Sequence, residues 1–180
     1  YHGPQFDWPN YAPIREDESP EAIEHCQRQY AALVSMCDHS LGLILDAMDR
    51  YGLWEDTMLI VTTDHGFLLG QHGWWAFVYP PFYSEVANKP LFIWDPRAGK
   101  RGGRNEALVQ MHDLPATLLE LFGVDRPPDM QGMPLRDTLA AGQAVRDAAL
   151  FGVFGRHVNC TDGRYVYMRA PANPENCPLY

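Results

Sequence analysis

The apolar residues of this chain fall into a few short, distinct patterns. Ile23, Cys26, Tyr30, Leu33, Cys37, Leu41, Ile44 and Met48 recur at steps of three or four, the spacing that lines one face of an α-helix. Ser19 stands where an N-cap is needed, Pro20 at the first helical position, and Glu21 at the positive end of the dipole. Gly52 is placed to end the helix, so the stripe predicts one helix of about thirty residues. Asp38 and His39 fall in its middle and read as solvated or side-chain-bonded polar positions. Met58, Leu59, Ile60 and Val61 form a run with no polar alternation. That run predicts a strand over 58–63, covered on both faces as in a parallel sheet. Leu91, Phe92, Ile93 and Trp94 predict a second buried strand. Asp113 as N-cap and Gly123 as stop bound another helix, with Leu114, Leu118, Leu121 and Phe122 as its inner face. Ala149–Phe154 reads as a strand. His157–Cys160 and Arg164–Arg169, joined around Asp162 and Gly163, read as a hairpin.

The connecting stretches are less patterned. Residues 1–18 are rich in Pro and aromatic residues and read as a surface loop. Residues 78–89 hold Pro80, Pro81 and a short helical piece. Residues 95–106 are basic and Gly-rich, but the glycines do not lead from a strand into a helix as a phosphate cradle requires. They read as a mobile, solvated loop. Residues 124–147 carry turns and at most a short polar helix.

Composition narrows the class of protein. The 180 residues are 46% hydrophobic, enough for a core in one domain, or in one domain and a fragment. Acidic residues outnumber basic ones 23 to 14, a net charge of -9, which argues against a nucleic-acid binder. A site that takes an anion must then build its positive potential locally. No uninterrupted apolar run approaches the ~20 residues of a membrane span, so none is expected. The chain begins at Tyr1 rather than Met, which points to a processed, truncated or cut product and leaves localisation open between cytoplasm and periplasm or exterior. Cys26 and Cys37 are eleven residues apart on the predicted helix, roughly 16 Å, too far to bridge. Cys160 and Cys177 are the remaining candidates for a pair.

Candidate chemistry gathers after the first predicted strand. Asp64, His65 and Gly66 follow it at once, where α/β folds collect ligands beyond strand ends. His72 and Gly73 come next, in a loop punctuated by Gly70 and stiffened by Trp74 and Trp75. A carboxylate and an imidazole are ordinary ligands of a divalent cation. Two ligands do not complete a metal shell, so the others are expected outside this chain.

The order of motifs resembles a known family. DHSLGLILDAMDRYGLWEDT, VTTDHGFLLGQHGWW, KPLFIWDP, DLPATLLELFGV and MQGMPL, between Tyr30 and Leu139, look like the C-terminal part of the catalytic domain of a sulfatase. Sulfatases belong to the alkaline-phosphatase-like superfamily. The resemblance is strongest toward the iduronate-sulfatase-like branch, which also carries His after the metal-binding Asp. It implies part of a three-layer α/β/α sandwich over residues 1–147, and the start of a small antiparallel β subdomain over 148–180. It also implies hydrolysis of sulfate esters, with Asp64 and His65 as metal ligands and His72 as a candidate catalytic or loop-shaping residue. The metal implied is divalent, calcium ahead of manganese, magnesium or zinc. The nucleophile implied is a formylglycine, made from a Cys or Ser in Cys/Ser-x-Pro-x-Arg, within an N-terminal half that these residues do not include. Cys160 opens CTDGR, but Asp162 stands where Pro is required and the order is wrong, so it is rejected as that nucleophile.

One departure bears on activity. Sulfatases place a Lys thirteen residues after the metal Asp, and here that position is Phe77. Loss of one donor to developing charge costs about 10²–10³ in rate, so another cation (Lys89 and Lys100 are nearest in sequence) takes the role or the chemistry has changed. Expected partners are a sulfated small molecule or glycan, and either the N-terminal region of the same protein or a second copy. Competing readings are a phosphonate or phosphodiester hydrolase of the same superfamily, and a non-catalytic sulfatase-like chain.

Overall fold

A computed structural model describes residues 13–16, 18–77, 81–99, 102–152 and 157–173. Its elements are, in order, helix α1 (Pro20–Tyr51), strands β1 (Leu59–Thr62), β2 (Leu68–Leu69) and β3 (Trp75–Ala76), helix α2 (Ser84–Ala87), strand β4 (Leu91–Trp94), helices α3 (Asp113–Leu121) and α4 (Arg136–Ala141), and strands β5 (Ala149–Gly152), β6 (Val158–Thr161) and β7 (Val166–Arg169). The chain divides into two units, one of residues 1–56 and 65–89, the other of 57–64 and 90–180.

In the first unit α1 is bounded as its sequence dictates. The Ser19 hydroxyl accepts a hydrogen bond from the Ala22 amide, and Gly52 closes the helix at φ 63°, donating its own N–H to the last turn. Cys26 and Met48 of the apolar stripe are buried, while residues 31–40 between them are exposed on every side. Side chains tie the N-terminal half of the helix to the loop that follows β1. The Gln27 amide donates to the Leu69 carbonyl at 2.8 Å, and the Trp75 indole donates to Glu18 at 2.9 Å. Cys26 and Cys37 are both free thiols; Cys177, and with it the candidate pairing to Cys160, lies outside the described residues.

No membrane span was expected of this chain, but by length and composition alone α1 passes the test for one. Averaged over its most apolar 18 residues its mean hydropathy is 1.3, long and apolar enough to cross a membrane. Inspection of uninterrupted runs misses this because polar residues break the runs without lowering the mean far. Asp38, mid-helix, weighs against spanning by about 2.5–3.5 kcal/mol, and the three-to-four spacing is that of an amphipathic helix.

In the second unit β1 and β4 pair antiparallel, Leu59 opposite Trp94 and Thr62 opposite Leu91. The parallel sheet to which the β1 run was likened is not what this pair forms. A continuous apolar run says nothing about strand direction. The burial expectation also fails for these residues, since Phe92 is 68% exposed and Leu59, Ile60 and Val61 are half-buried. The first residues beyond β4 are anchored, while residues 100–101 of the loop expected over 95–106 lie outside the described residues. Asp95 is buried and accepts from the Arg97 amide and guanidinium, at 2.9 Å and 2.6 Å.

The packed face of α3 is also rotated from the expected one. Asp113 is its first residue, not its cap, and Asp113, Ala116 and Thr117 are the buried positions, whereas Leu118 and Phe122 face outward. The reason is polar. The Asp113 carboxylate, fully buried, accepts from the Gln110 amide at 2.7 Å, the Met133 amide at 2.9 Å and both terminal nitrogens of Arg146. The Thr117 hydroxyl donates to the Asp113 carbonyl and accepts from the Leu135 amide. Strands β5, β6 and β7 form an antiparallel sheet in that order. The hairpin between β6 and β7 turns at Asp162, whose carboxylate accepts from the amides of Arg164 and Tyr165, as its Asp-Gly sequence predicts.

Candidate functional site

The chain crosses from the second unit to the first between Asp64 and His65. Asp64 ends its segment with an exposed carboxylate that accepts from the Thr63 hydroxyl at 3.3 Å. His65 is half-buried, and its Nδ1 lies 2.9 Å from the Gly66 carbonyl oxygen. A carbonyl only accepts, so Nδ1 carries the proton, and a neutral ring in that tautomer carries its lone pair on Nε2. Metal-binding histidines are fixed in this way, one nitrogen donating to a carbonyl and the other presenting its lone pair.

Gly66 is required by close packing. Its amide donates to the Val86 carbonyl at 3.0 Å, and a Cβ there would lie 1.7 Å from the Glu85 carbonyl oxygen. The loop then folds on itself, Leu68 pairing with Ala76 and Leu69 with Trp75. Gly70 (φ 95°) and Gly73 (φ 75°) make the turn. His72 (φ 58°) and Ala76 (φ 69°) also hold left-handed backbone, and they are the only non-glycine residues to do so among those described. Such strain persists where surrounding contacts over-determine it.

Those contacts are visible. His72 Nε2 donates to Glu85 at 3.0 Å, and its ring stacks on Tyr83 at 3.8 Å and 10°. A hydrogen bond from its own amide, and then the one from His72, hold the Glu85 carboxyl below the usual range. His65 stacks on Phe77, with ring centroids 3.5 Å apart and 22° between planes. The structure thus ties His72 to α2 and His65 to Phe77. Among the described residues, no group of three or more His, Cys, Asp or Glu could hold a metal ion.

Sequence reasoning missed Glu85 and Tyr83 as partners of His72. It saw Phe77 only as a missing cation. The signal for the stack was present, since two short apolar pieces flanking a Gly-rich turn set a register that brings residues 67 and 77 opposite each other.

These elements are those of part of an alkaline-phosphatase-like α/β fold. A solved structure of a protein in complex with its substrate D-glucosamine-2-N,6-O-disulfate superimposes with a TM-score of 0.73 at 27% identity, over 84% of this chain and 34% of the other. The phosphonate monoester hydrolase of Silicibacter pomeroyi shares the fold with a TM-score of 0.76 at 23% identity, over 86% of this chain and 35% of that one. Within that fold the chain belongs to the sulfatase family, whose model matches residues 2–124. It is 35% identical over 112 residues to the N-acetylglucosamine-6-O-sulfatase of Bacteroides thetaiotaomicron, covering 62% of this chain and 20% of the relative. It is 34% identical over 138 residues to the iduronate 2-sulfatase of Mus musculus, covering 76% of this chain and 21% of the relative. The chain therefore spans about a fifth of the length of these curated relatives. Sulfatase membership implies a divalent metal.

Proposed function

We propose that the intact protein hydrolyses sulfate esters, and that Asp64 and His65, consecutive in the chain, supply two ligands of its divalent metal. The His65 hydrogen bond to the Gly66 carbonyl is the observation that carries this reading, because it sets the tautomer a metal needs. When bound, such an ion neutralises charge on the sulfate oxygens. The residues of this chain then have separable tasks. Asp64 offers a carboxylate, His65 an oriented Nε2, and Gly66 the close approach to α2 that seats the loop. His72 spends Nε2 on Glu85 and offers substrate its Nδ1.

Calcium is the ion we propose, since exposed carboxylate oxygen suits a hard cation; formylglycine is the nucleophile we propose outside these residues. A sulfated sugar is the substrate class that the relatives support. We also assign residues 148–180 to the start of a small β subdomain, on the strength of the β5–β7 sheet.

One observation keeps a second reading in view. The second reading is hydrolysis of phosphonate monoesters, the reaction named for the Silicibacter pomeroyi protein that shares the fold. Rates of the intact protein on an aryl sulfate and on the matching aryl phosphonate monoester separate the two. Faster turnover of the sulfate is expected, and faster turnover of the phosphonate would overturn the assignment.

A further inference from the structure

The ring of Phe77 sits face to face with His65, and the placement follows from the loop's own register. Leu68 pairs with Ala76, so position 77 lies opposite 67 and diagonal to 65, a separation that aromatic side chains span. The left-handed backbone of Ala76, buried at 1% exposure, immediately precedes Phe77. Phe77 is itself backed by other rings. Phe67 lies 6.2 Å from it at 54°, and Tyr30 of α1 stacks on Phe67 at 6.0 Å and 23°. A series of four rings therefore runs from the long helix to the imidazole of His65, with each contact in the range of favourable aromatic pairs or closer.

We propose that Phe77 is a positioning residue of His65: its ring face holds the imidazole in the plane where Nδ1 reaches the Gly66 carbonyl. A shape-filling side chain alone would not do this, because a stack restrains the tilt of the ring as well as its location. The inference rests on the metal-ligand reading of His65 for its consequence, but the restraint exists without metal.

The test uses the intact protein labelled with [¹⁵N]histidine, with the His65 signal assigned by its absence in His65→Ala. In the metal-free protein His65 is expected to show the Nδ1–H tautomer. Phe77→Leu is expected to shift it toward a mixture of tautomers, and Phe77→Tyr to retain it. Calorimetric titration with Ca²⁺ alone is expected to show about three- to tenfold weaker binding in Phe77→Leu, and binding within about twofold of wild type in Phe77→Tyr, which keeps the aromatic face. An unaltered tautomer in Phe77→Leu would overturn the proposal, and so would equal loss in the Leu and Tyr variants. If His65→Ala binds Ca²⁺ as well as wild type does, the metal reading of His65 falls. The tautomer comparison in metal-free protein still decides the role of Phe77.

Discussion

At the scale of single residues, the loop after β1 depends on one glycine more than on its histidines. Gly66 has a negative φ, so backbone conformation does not demand it; space does. A methyl group 1.7 Å from the Glu85 carbonyl must push α2 away or break the Gly66–Val86 hydrogen bond, a cost of about 1–3 kcal/mol. Gly66→Ala is therefore expected to lower the urea midpoint clearly. Gly42→Ala, mid-helix with nothing within 4 Å of the added carbon, is expected to raise it by about 0.5–1 kcal/mol equivalent. Equal effects from the two substitutions would show that the packing around Gly66 is not as described. This residue-level logic was half legible in sequence. The Asp-His-Gly triplet announced chemistry, but why Gly must follow His65 appears only once α2 is seen beside it.

Among elements, the second unit is held by a buried charge. Asp113 joins the start of α3, the 130–135 segment and Arg146 through four donors. Burial by itself would raise the Asp113 carboxyl; the bonds from Arg146 and from the Met133 and Gln110 amides outweigh it and hold it below its ordinary value. Asp113→Ala leaves the guanidinium and two amides without their acceptor, and is expected to cost about 3–5 kcal/mol. The sign with pH follows from the lowered value. A carboxyl depressed on folding stabilises fully above its unfolded value of about 3.9, and that stability is lost as pH falls through the folded value. Urea denaturation across pH is thus expected to show the gap between wild type and Asp113→Asn narrowing below about pH 4. A gap that persists unchanged to pH 2 would contradict the assignment.

The same element shows the limit of periodicity. The leucines of α3 marked a helix correctly. They pointed to the wrong face, because a pattern of apolar positions cannot register that a buried aspartate recruits an arginine thirty-three residues on. Boundaries set by local chemistry were more legible. The Ser19 cap, the Gly52 stop and the Asp162 turn all rest on contacts within four residues. Strand direction in the β1–β4 pair, a long-range property, was not legible.

Across the whole molecule, net charge is -9, yet the proposed substrate is an anion. Attraction must then come from the site itself, through a bound cation and oriented donors rather than a general positive field. On the proposed reading Asp64 and His65 belong to such a site, with the Phe77 ring stacked on His65. Several apolar side chains of α1, among them Leu33, Val34, Met36 and Leu43, stay more than half exposed. The family was legible because its motifs are local and ordered. The complete site was not, since among the described residues no group of three or more His, Cys, Asp or Glu could hold a metal ion.

The central claim is that Asp64 and His65 hold a metal on which sulfate-ester hydrolysis depends. Its most direct test measures bound divalent metal and aryl sulfate turnover together, in the intact protein and in its Asp64→Ala and His65→Ala variants. The account predicts that both variants lose metal and that turnover falls at least about 100-fold. Turnover near wild type in either folded variant, or full metal content in both, would contradict it.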